Sequence, residues 1–364
     1  VSGSPKDGPD IRRPQAVDAA WLTRALQAGG IDAVVSGFDA KAIGTGQIGD
    51  SVRFSLRYAR GAEIAPGSVV GKFPSADPSS FATGVALGNY VREVMFYRHL
   101  AATARIATPT WHFTDVVEAT GEFVLLMEDL APAEPGDQLN GVTLDQARLA
   151  VDEAAKLHAS HWGDPELEDL PWISGARAAP PSQATPEAVR GLWLGFRDRY
   201  GPRLKPAHIE VGETLTSRFN RYALAGDGPR CLTHNDFRPD NMMFSTAKGG
   251  RAITVLDWQS IALGTGAVDV AYFLAGALSP DVRRAHEAEL LARYLDGLRT
   301  GGVSGYGPDD LQRDYATGAF LLFLTAFFAA MIVKQTSRGD DMFMQMVDSA
   351  TDHIVDHRAL DLLG

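Results

Sequence analysis

From Ala316 to Val333 the chain reads ATGAFLLFLTAFFAAMIV, eighteen residues without a charge. No other stretch restricts the fold so tightly. A helix that is apolar on every side has to be surrounded, by lipid or by other helices. Phe320, Leu324, Phe327, Phe328 and Met331 recur at helical spacing, while Leu321, Leu322 and Phe323 fill the opposite side. The length is at the lower edge of a membrane span. The segment stands alone, however, and has no flanking basic cluster. Helical patterns precede and follow it at about 143–161, 186–200, 208–225, 266–278, 281–299 and 340–358, one with an apolar stripe of Val270, Phe273, Leu274 and Ala277. The expectation is a central helix in a large helical lobe, with no membrane partner.

The first third of the chain has a different period. Val17, Trp21, Leu22, Ala25 and Leu26 mark a helix that Gly29-Gly30 ends. From about 38 to 73 the pattern alternates: Val52, Phe54, Leu56 and Tyr58 point one way, and Val69–Phe73 reads as a further strand. A helix over 87–104 and a strand over 122–128 follow, then the Pro/Gly-rich connector APAEPGDQLNG. A chain of 364 residues exceeds what one core usually serves. The expected class is α+β: a tail and helix over 1–36, a small β-rich lobe over 37–130, and a larger helical lobe over 131–364.

Composition narrows the partners. Lys and Arg number 34 against 45 Asp and Glu, a net charge of −11. That sign disfavours nucleic acid and suits a cationic small molecule. Cys231 is the single cysteine, so an internal disulfide and a cysteine-built zinc site are both excluded. The opening VSGSPKDGPD is polar and reads as a flexible start, not a secretory signal. A cytoplasmic location is the expectation.

Three features carry chemistry. Gly44, Gly46 and Gly49 form a GxGxxG followed by the alternating strand SVRFSLRY, so they belong to a strand–turn–strand. Such a turn either covers phosphates with its backbone N–H groups or is a plain glycine-rich hairpin. The nearby GSVVGKF is too short for a P-loop and lacks the hydroxyl after Lys72. Lys72 sits in an apolar strand, and Glu93 shares a helix face with Phe96, Tyr97 and Leu100. Each needs a partner if buried, and the pair could aim an ammonium at phosphate; two ordinary snorkelling side chains are the alternative. The third feature is LTHNDFRPDNMMF, residues 232–244, with a hairpin after it that turns near Gly249. Pairing about Gly249 would set Asn241 beside Asp257, two hard oxygen donors suited to Mg²⁺. Asp236 could take a proton from an attacking hydroxyl. His158 and His161 in LHASHW lack an evident third ligand and read as helix-end packing.

HNDFRPDN resembles the H-x-D-x-K-P-x-N catalytic loop of the protein-kinase-like superfamily, and VLDW resembles its metal-binding segment. The detailed resemblance is to the aminoglycoside phosphotransferase and choline-kinase-like branch, over roughly 38 to 275. It implies a bilobal protein-kinase-like fold and transfer of a nucleoside triphosphate's γ-phosphate, ATP first with GTP open, to a small-molecule hydroxyl with Mg²⁺. It implies Asp236 as catalytic residue with His234 beside it, Asn241 and Asp257 as metal ligands, and Lys72 with Glu93 as the phosphate-positioning pair. Met127 would be the gatekeeper, and the Glu128 carbonyl and Leu130 N–H would meet the adenine edge. Asp269 would brace the catalytic loop, and Arg238 would touch the transferred phosphate or make a surface ion pair. Asn235 and DWQ depart from the related patterns, so the acceptor is left open. Only eleven residues separate Asp257 from Asp269, too few for an activation loop and peptide platform. A kinase acting on protein and an inactive nucleotide-binding regulator are the rival readings. The oligomeric state is not legible.

Overall fold

The computed structural model describes residues 10–44, 48–174, 185–224, 229–333 and 335–364. They form two compact units. The first takes its residues from Val1–Ala102, Thr108–Ala131 and Asp257–Gln259, and the second from Thr103–Ala107, Pro132–Leu256 and Ser260–Gly364.

The first unit opens with helix α1 (Ala19–Ala28), whose first turn is capped by the Asp18 carboxylate accepting from Trp21 N–H at 2.7 Å. Five strands follow: β1 (Val34–Ile43), β2 (Gly49–Arg60), β3 (Ser68–Pro74), β4 (Trp111–Val117) and β5 (Glu122–Glu128). Their order in the sheet is β1-β2-β3-β5-β4, and every neighbouring pair is antiparallel. The apolar side of α1 lies on this sheet: Trp21, Leu22, Ala25 and Leu26 pack with Phe54, Val69, Phe73, Phe113 and Leu126. Between β3 and β4, helix α2 (Pro78–Ala86) comes first, where no helix was expected, and α3 (Asn89–Met95) opens the helix expected over 87–104. Gly88 divides them because it adopts φ 67°, a left-handed conformation that no α-helix continues through. α3 then widens into a π-helical turn over Phe96–Leu100. β4 was not among the expected strands.

The second unit is mostly helical. Its early elements are strand β6 (Glu134–Pro135) and helices α4 (Leu144–Ser160), α5 (Pro171–Ser174), α6 (Pro186–Tyr200), α7 (Pro206–Ser217) and α8 (Phe219–Leu224). Strands β7 (Cys231–Thr233), β8 (Met242–Thr246), β9 (Gly249–Val255) and β10 (Ala262–Gly264) follow, and then helices α9 (Ala267–Ala277), α10 (Pro280–Thr300), α11 (Pro308–Ile332) and α12 (Ser337–Asp356). α11 carries the uncharged stretch, and protein surrounds it. Phe320, Leu322, Phe323, Leu324 and Phe327 are buried with Trp193 and Phe196 of α6 and with Met346, Val347 and Ala350 of α12. Gly318 lets α11 approach α9 closely; a Cβ there would stand 2.8 Å from the Ala271 Cβ. Among the described residues α11 is the one helix long and apolar enough to cross a membrane, and 72% of that stretch is buried inside the protein.

The β8–β9 hairpin forms, but one residue out of the expected register. Met242 pairs with Val255 and Met243 with Thr254, and an irregularity after Phe244 leads to a tight Thr246–Gly249 closure. The Leu256 N–H therefore donates to the Asn241 carbonyl at 2.8 Å, and Asp257 is the next residue along the chain.

Candidate active site

Residues 234–241 are held from beneath by one buried carboxylate. Asp269, in the first turn of α9, is fully buried and accepts from the His234 N–H at 2.6 Å and the Asn235 N–H at 2.8 Å. His158 of α4 meets the same carboxylate at 3.1 Å through Nε2, and its Nδ1 lies 2.8 Å from the Tyr294 hydroxyl. Strand β7 delivers the chain to this point, and Asn235 then turns it with φ 60°. Asparagine tolerates that left-handed backbone. Its side-chain amide also donates to Thr233 Oγ1 at 2.9 Å and to the Ser260 carbonyl at 3.1 Å. The His234 ring bridges the Leu256 carbonyl (Nε2, 2.9 Å) and the Asp236 N–H (Nδ1, 3.3 Å), which fixes its tautomer as Nε2–H.

This scaffold presents Asp236. The Asn241 amide Nδ2 donates to Asp236 Oδ2 and to the Asp236 carbonyl, both at 2.9 Å. The Tyr272 hydroxyl reaches Asp236 Oδ1 at 3.2 Å, and Arg238 Nε lies 3.1 Å from the same oxygen. Burial, helped by the Asp236 charge, pushes the Tyr272 phenol well above its usual pKa, so it remains a donor. The Asp236 side chain keeps 21% of its surface accessible, enough to meet a substrate. With its nitrogen committed to Asp236, Asn241 has an amide oxygen that could ligate a cation.

In the first unit, Lys72 of β3 stands between two carboxylates. Its Nζ is 2.7 Å from Glu93 Oε2 and 3.0 Å from Asp257 Oδ1. Glu93 lies on α3 and is 1% exposed. Burial alone would lower the Lys72 pKa, but the Asp257 and Glu93 charges outweigh it and keep the ammonium protonated. Burial raises the Glu93 carboxyl against the pull of Lys72. Asp257 adopts φ 66°, and Trp258 after it stacks on Phe96 with ring centroids 3.9 Å apart. That stack fixes where the Asp257 carboxylate emerges. Among the described residues its second oxygen receives a 3.3 Å contact from Gln259 and no other.

The glycine segment lies between β1 and β2, which pair antiparallel. Gly44 has φ 74°, and a Cβ at Gly49 would stand 3.1 Å from the Phe73 carbonyl and 3.3 Å from Lys72 Cε. Gly46 falls outside the described residues. The Ile48 carbonyl, just before β2, accepts from the Tyr90 hydroxyl at 2.6 Å. Glu128 ends β5, and its N–H donates to the Thr110 carbonyl at 2.8 Å. Between Glu128 and Leu130, the Asp129 carboxylate takes Arg53 Nε at 2.6 Å and the Ser68 hydroxyl at 2.7 Å. Burial would raise Asp129, but those donors outweigh it and hold it below the usual carboxylate range.

The structure thus gathers Asp236, Arg238 and Asn241 in one constellation and Lys72, Glu93 and Asp257 in another. Sequence reasoning missed three contributors: Tyr272, His158 as a partner of Asp269, and Asp129. Tyr272 stands three residues after Asp269, one turn further along a helix that was expected, so its approach to residues 234–241 had a signal. His161 is engaged by Asp164 (3.0 Å) and Thr103 (3.1 Å), in keeping with the packing role expected of it.

Residues 57–310 match the phosphotransferase enzyme family. The chain belongs to that family. The fold of this phosphotransferase, with its N-terminal sheet region and helical C-terminal region, is shared by solved structures of low identity. One is a microcompartment-associated aminopropanol kinase, 16% identical, covering 94% of this chain and 99% of its own, with a TM-score of 0.50. Another is the GDP complex of an aminoglycoside 2'-phosphotransferase-IIIa, 13% identical, covering 92% and 99%, also at 0.50. The gentamicin complex of APH(2")-IIa is 14% identical, covers 93% and 98%, and has the same TM-score. Comparison with curated proteins found no match.

Proposed function

We propose that this phosphotransferase moves the γ-phosphoryl group of ATP to a hydroxyl of a cationic small molecule. The observation that carries the reading is the anchoring of Asp236. Asn241 and Tyr272 fix its carboxylate in one orientation, and it retains access to solvent. A carboxylate so placed orients an acceptor hydroxyl and receives its proton as the oxygen bonds to phosphorus. Lys72, kept charged by Glu93 and Asp257, would lie against the nucleotide phosphates. Gly44, Gly46 and Gly49 would cover them with backbone N–H groups, and Arg238 would neutralise charge on the group in transfer. The backbone of Glu128 and Leu130, tied down through Asp129, would meet the base.

Asn241 and Asp257 would each suit Mg²⁺ as a ligand. Both offer hard oxygen atoms, the Asn241 nitrogen is already committed, and the Asp257 carboxylate has an oxygen with only one weak contact. When bound there, the ion would neutralise phosphate charge. The acceptor class rests on the net charge of −11 and on the short chain between Asp257 and Asp269. The neighbours named for aminopropanol and gentamicin concern cationic hydroxyl compounds, which agrees with it. Use of ATP and the single cysteine fit a cytoplasmic location. A screen for nucleoside diphosphate release, run with ATP and GTP against amino alcohols, aminoglycosides and neutral polyols, tests the proposal. Acceptor-dependent ADP release with the cationic compounds is expected. Nucleotide binding with no acceptor-stimulated release from any compound would overturn it.

A further inference from the structure

Away from the residues given roles above, the second unit contains a polar cluster where the C-terminal end of α12 meets α10 and α11. Glu287 lies on α10 and Tyr315 on α11. His353 is in the last turn of α12, and His357 caps that helix four residues later. His353 is fully buried, yet among the described residues neither of its ring nitrogens has a hydrogen-bond partner. A buried imidazole with two idle nitrogens is costly unless something occupies them. His357 Nε2 lies 2.9 Å from Glu287 Oε1. The donor atoms of Glu287, His353 and His357 all fall within 4.8 Å of one another.

We propose that Glu287, His353 and His357 bind one Zn²⁺ ion, with water as the fourth ligand. Two imidazoles and a carboxylate are a borderline donor set, and histidines four apart on a helix present their rings to one side. Tetrahedral coordination with bonds of about 2.0–2.2 Å needs donors about 3.4 Å apart, so His357 and Glu287, now 2.9 Å apart, must open by about half an ångström while any wider separation, 4.8 Å at most, closes.

The surroundings are arranged as metal ligands require. The Tyr315 hydroxyl (2.8 Å) and Arg283 (2.7 Å) both engage Glu287 Oε2, which fixes the carboxylate and leaves Oε1 toward the histidines. Gln312 Nε2 lies 3.0 Å from His357 Nδ1. With that amide turned over, its carbonyl accepts Nδ1–H and the Nε2 lone pair faces the ion. Arg283 does not oppose the cation alone, since it also pairs with Asp356. His357 and Glu287 keep 11% and 15% of their side-chain surface, which gives the ion a route in. The site would tie the C-terminus of α12 to α10.

The test uses the whole chain, stripped of metal with a chelator. Titration with Co²⁺ should give a saturable visible absorption of tetrahedral type at one equivalent, displaced by Zn²⁺, and Zn²⁺ should raise the melting temperature. His357→Gln and Glu287→Gln should each weaken Co²⁺ affinity by about 100-fold or more while circular dichroism stays unchanged. Gln312→Ala touches the site only through His357 and should weaken it about 10- to 100-fold, so it serves if a ligand variant fails to fold. No stoichiometric Co²⁺ uptake by the wild type, or an unchanged Kd in the folded variants, would overturn the proposal.

Discussion

Asp269→Asn isolates the support of the catalytic segment. The substitution keeps the shape of the side chain and leaves no cavity, so its cost can be read from hydrogen bonds alone. The wild-type carboxylate accepts from two backbone N–H groups and meets His158, all in full burial. An amide has one accepting oxygen. It can serve His234 N–H or Asn235 N–H, and its own NH₂ then confronts the other. A buried donor left unsatisfied costs about 1–3 kcal/mol, and the surviving bond loses its charge-assisted strength, about 1 kcal/mol more. The expected loss is about 2–4 kcal/mol in urea unfolding, as a lower midpoint with an unchanged m-value. Turnover should fall as well, because the same N–H groups set the path of the backbone into Asp236. A loss below about 1 kcal/mol with normal turnover would refute the argument that Asp269 carries the loop.

Four further outcomes are expected. Asp236→Asn should leave nucleotide affinity nearly unchanged and lower turnover about 10²–10⁴-fold, measured by ADP release; near-normal turnover removes Asp236 from the mechanism. Asp257→Ala should abolish the Mg²⁺-dependence of nucleotide binding in calorimetry, and an unchanged dependence would place the ion elsewhere. Leu324→Ala, at a position 1% exposed, should cost about 2–5 kcal/mol in denaturant unfolding, whereas a negligible loss would mean that α11 is not packed as described. Asp129 has a folded pKa below its ordinary 3.8, so its contribution is fully present above that value and is lost as pH falls through the folded value. Asp129→Asn should therefore be less stable than wild type at neutral pH, with the gap closing in strong acid; a gap independent of pH contradicts the assignment.

The elements legible in the sequence were those with one dominant period. α11 announced itself by lacking any charge, and β2 by strict alternation of Val52, Phe54, Leu56 and Tyr58. The segment 234–241 stood out because His234, Asp236 and Asn241 have a spacing that few other needs impose, and the structure draws Asp236 and Asn241 into direct contact. What escaped depended on contacts made across the fold. β4 follows Pro109 with a mixed pattern, and its pairing with β5 decides it. The Asp77-Pro78 start of α2 was a readable cap and N1 signal, obscured by the small polar residues after it. The hairpin register failed by one residue because symmetry about Gly249 ignored the irregularity after Phe244. Tyr272 and His158 could be assigned to helices from the sequence, but not to partners, since their partners are 36 and 111 residues distant.

Asn235 bears on how such a loop can change over generations. Its left-handed backbone admits glycine without strain, and asparagine at a small cost offset by the bonds to Thr233 and Ser260. In the genetic code those two residues are two base changes apart, with aspartate or serine between them. Aspartate would set a carboxylate against the Ser260 carbonyl. Serine lacks both the reach and the tolerance for that backbone. Two good solutions are thus separated by poorer ones, so a lineage that has asparagine at this turn is held there by the intermediates and not by any superiority of the residue itself.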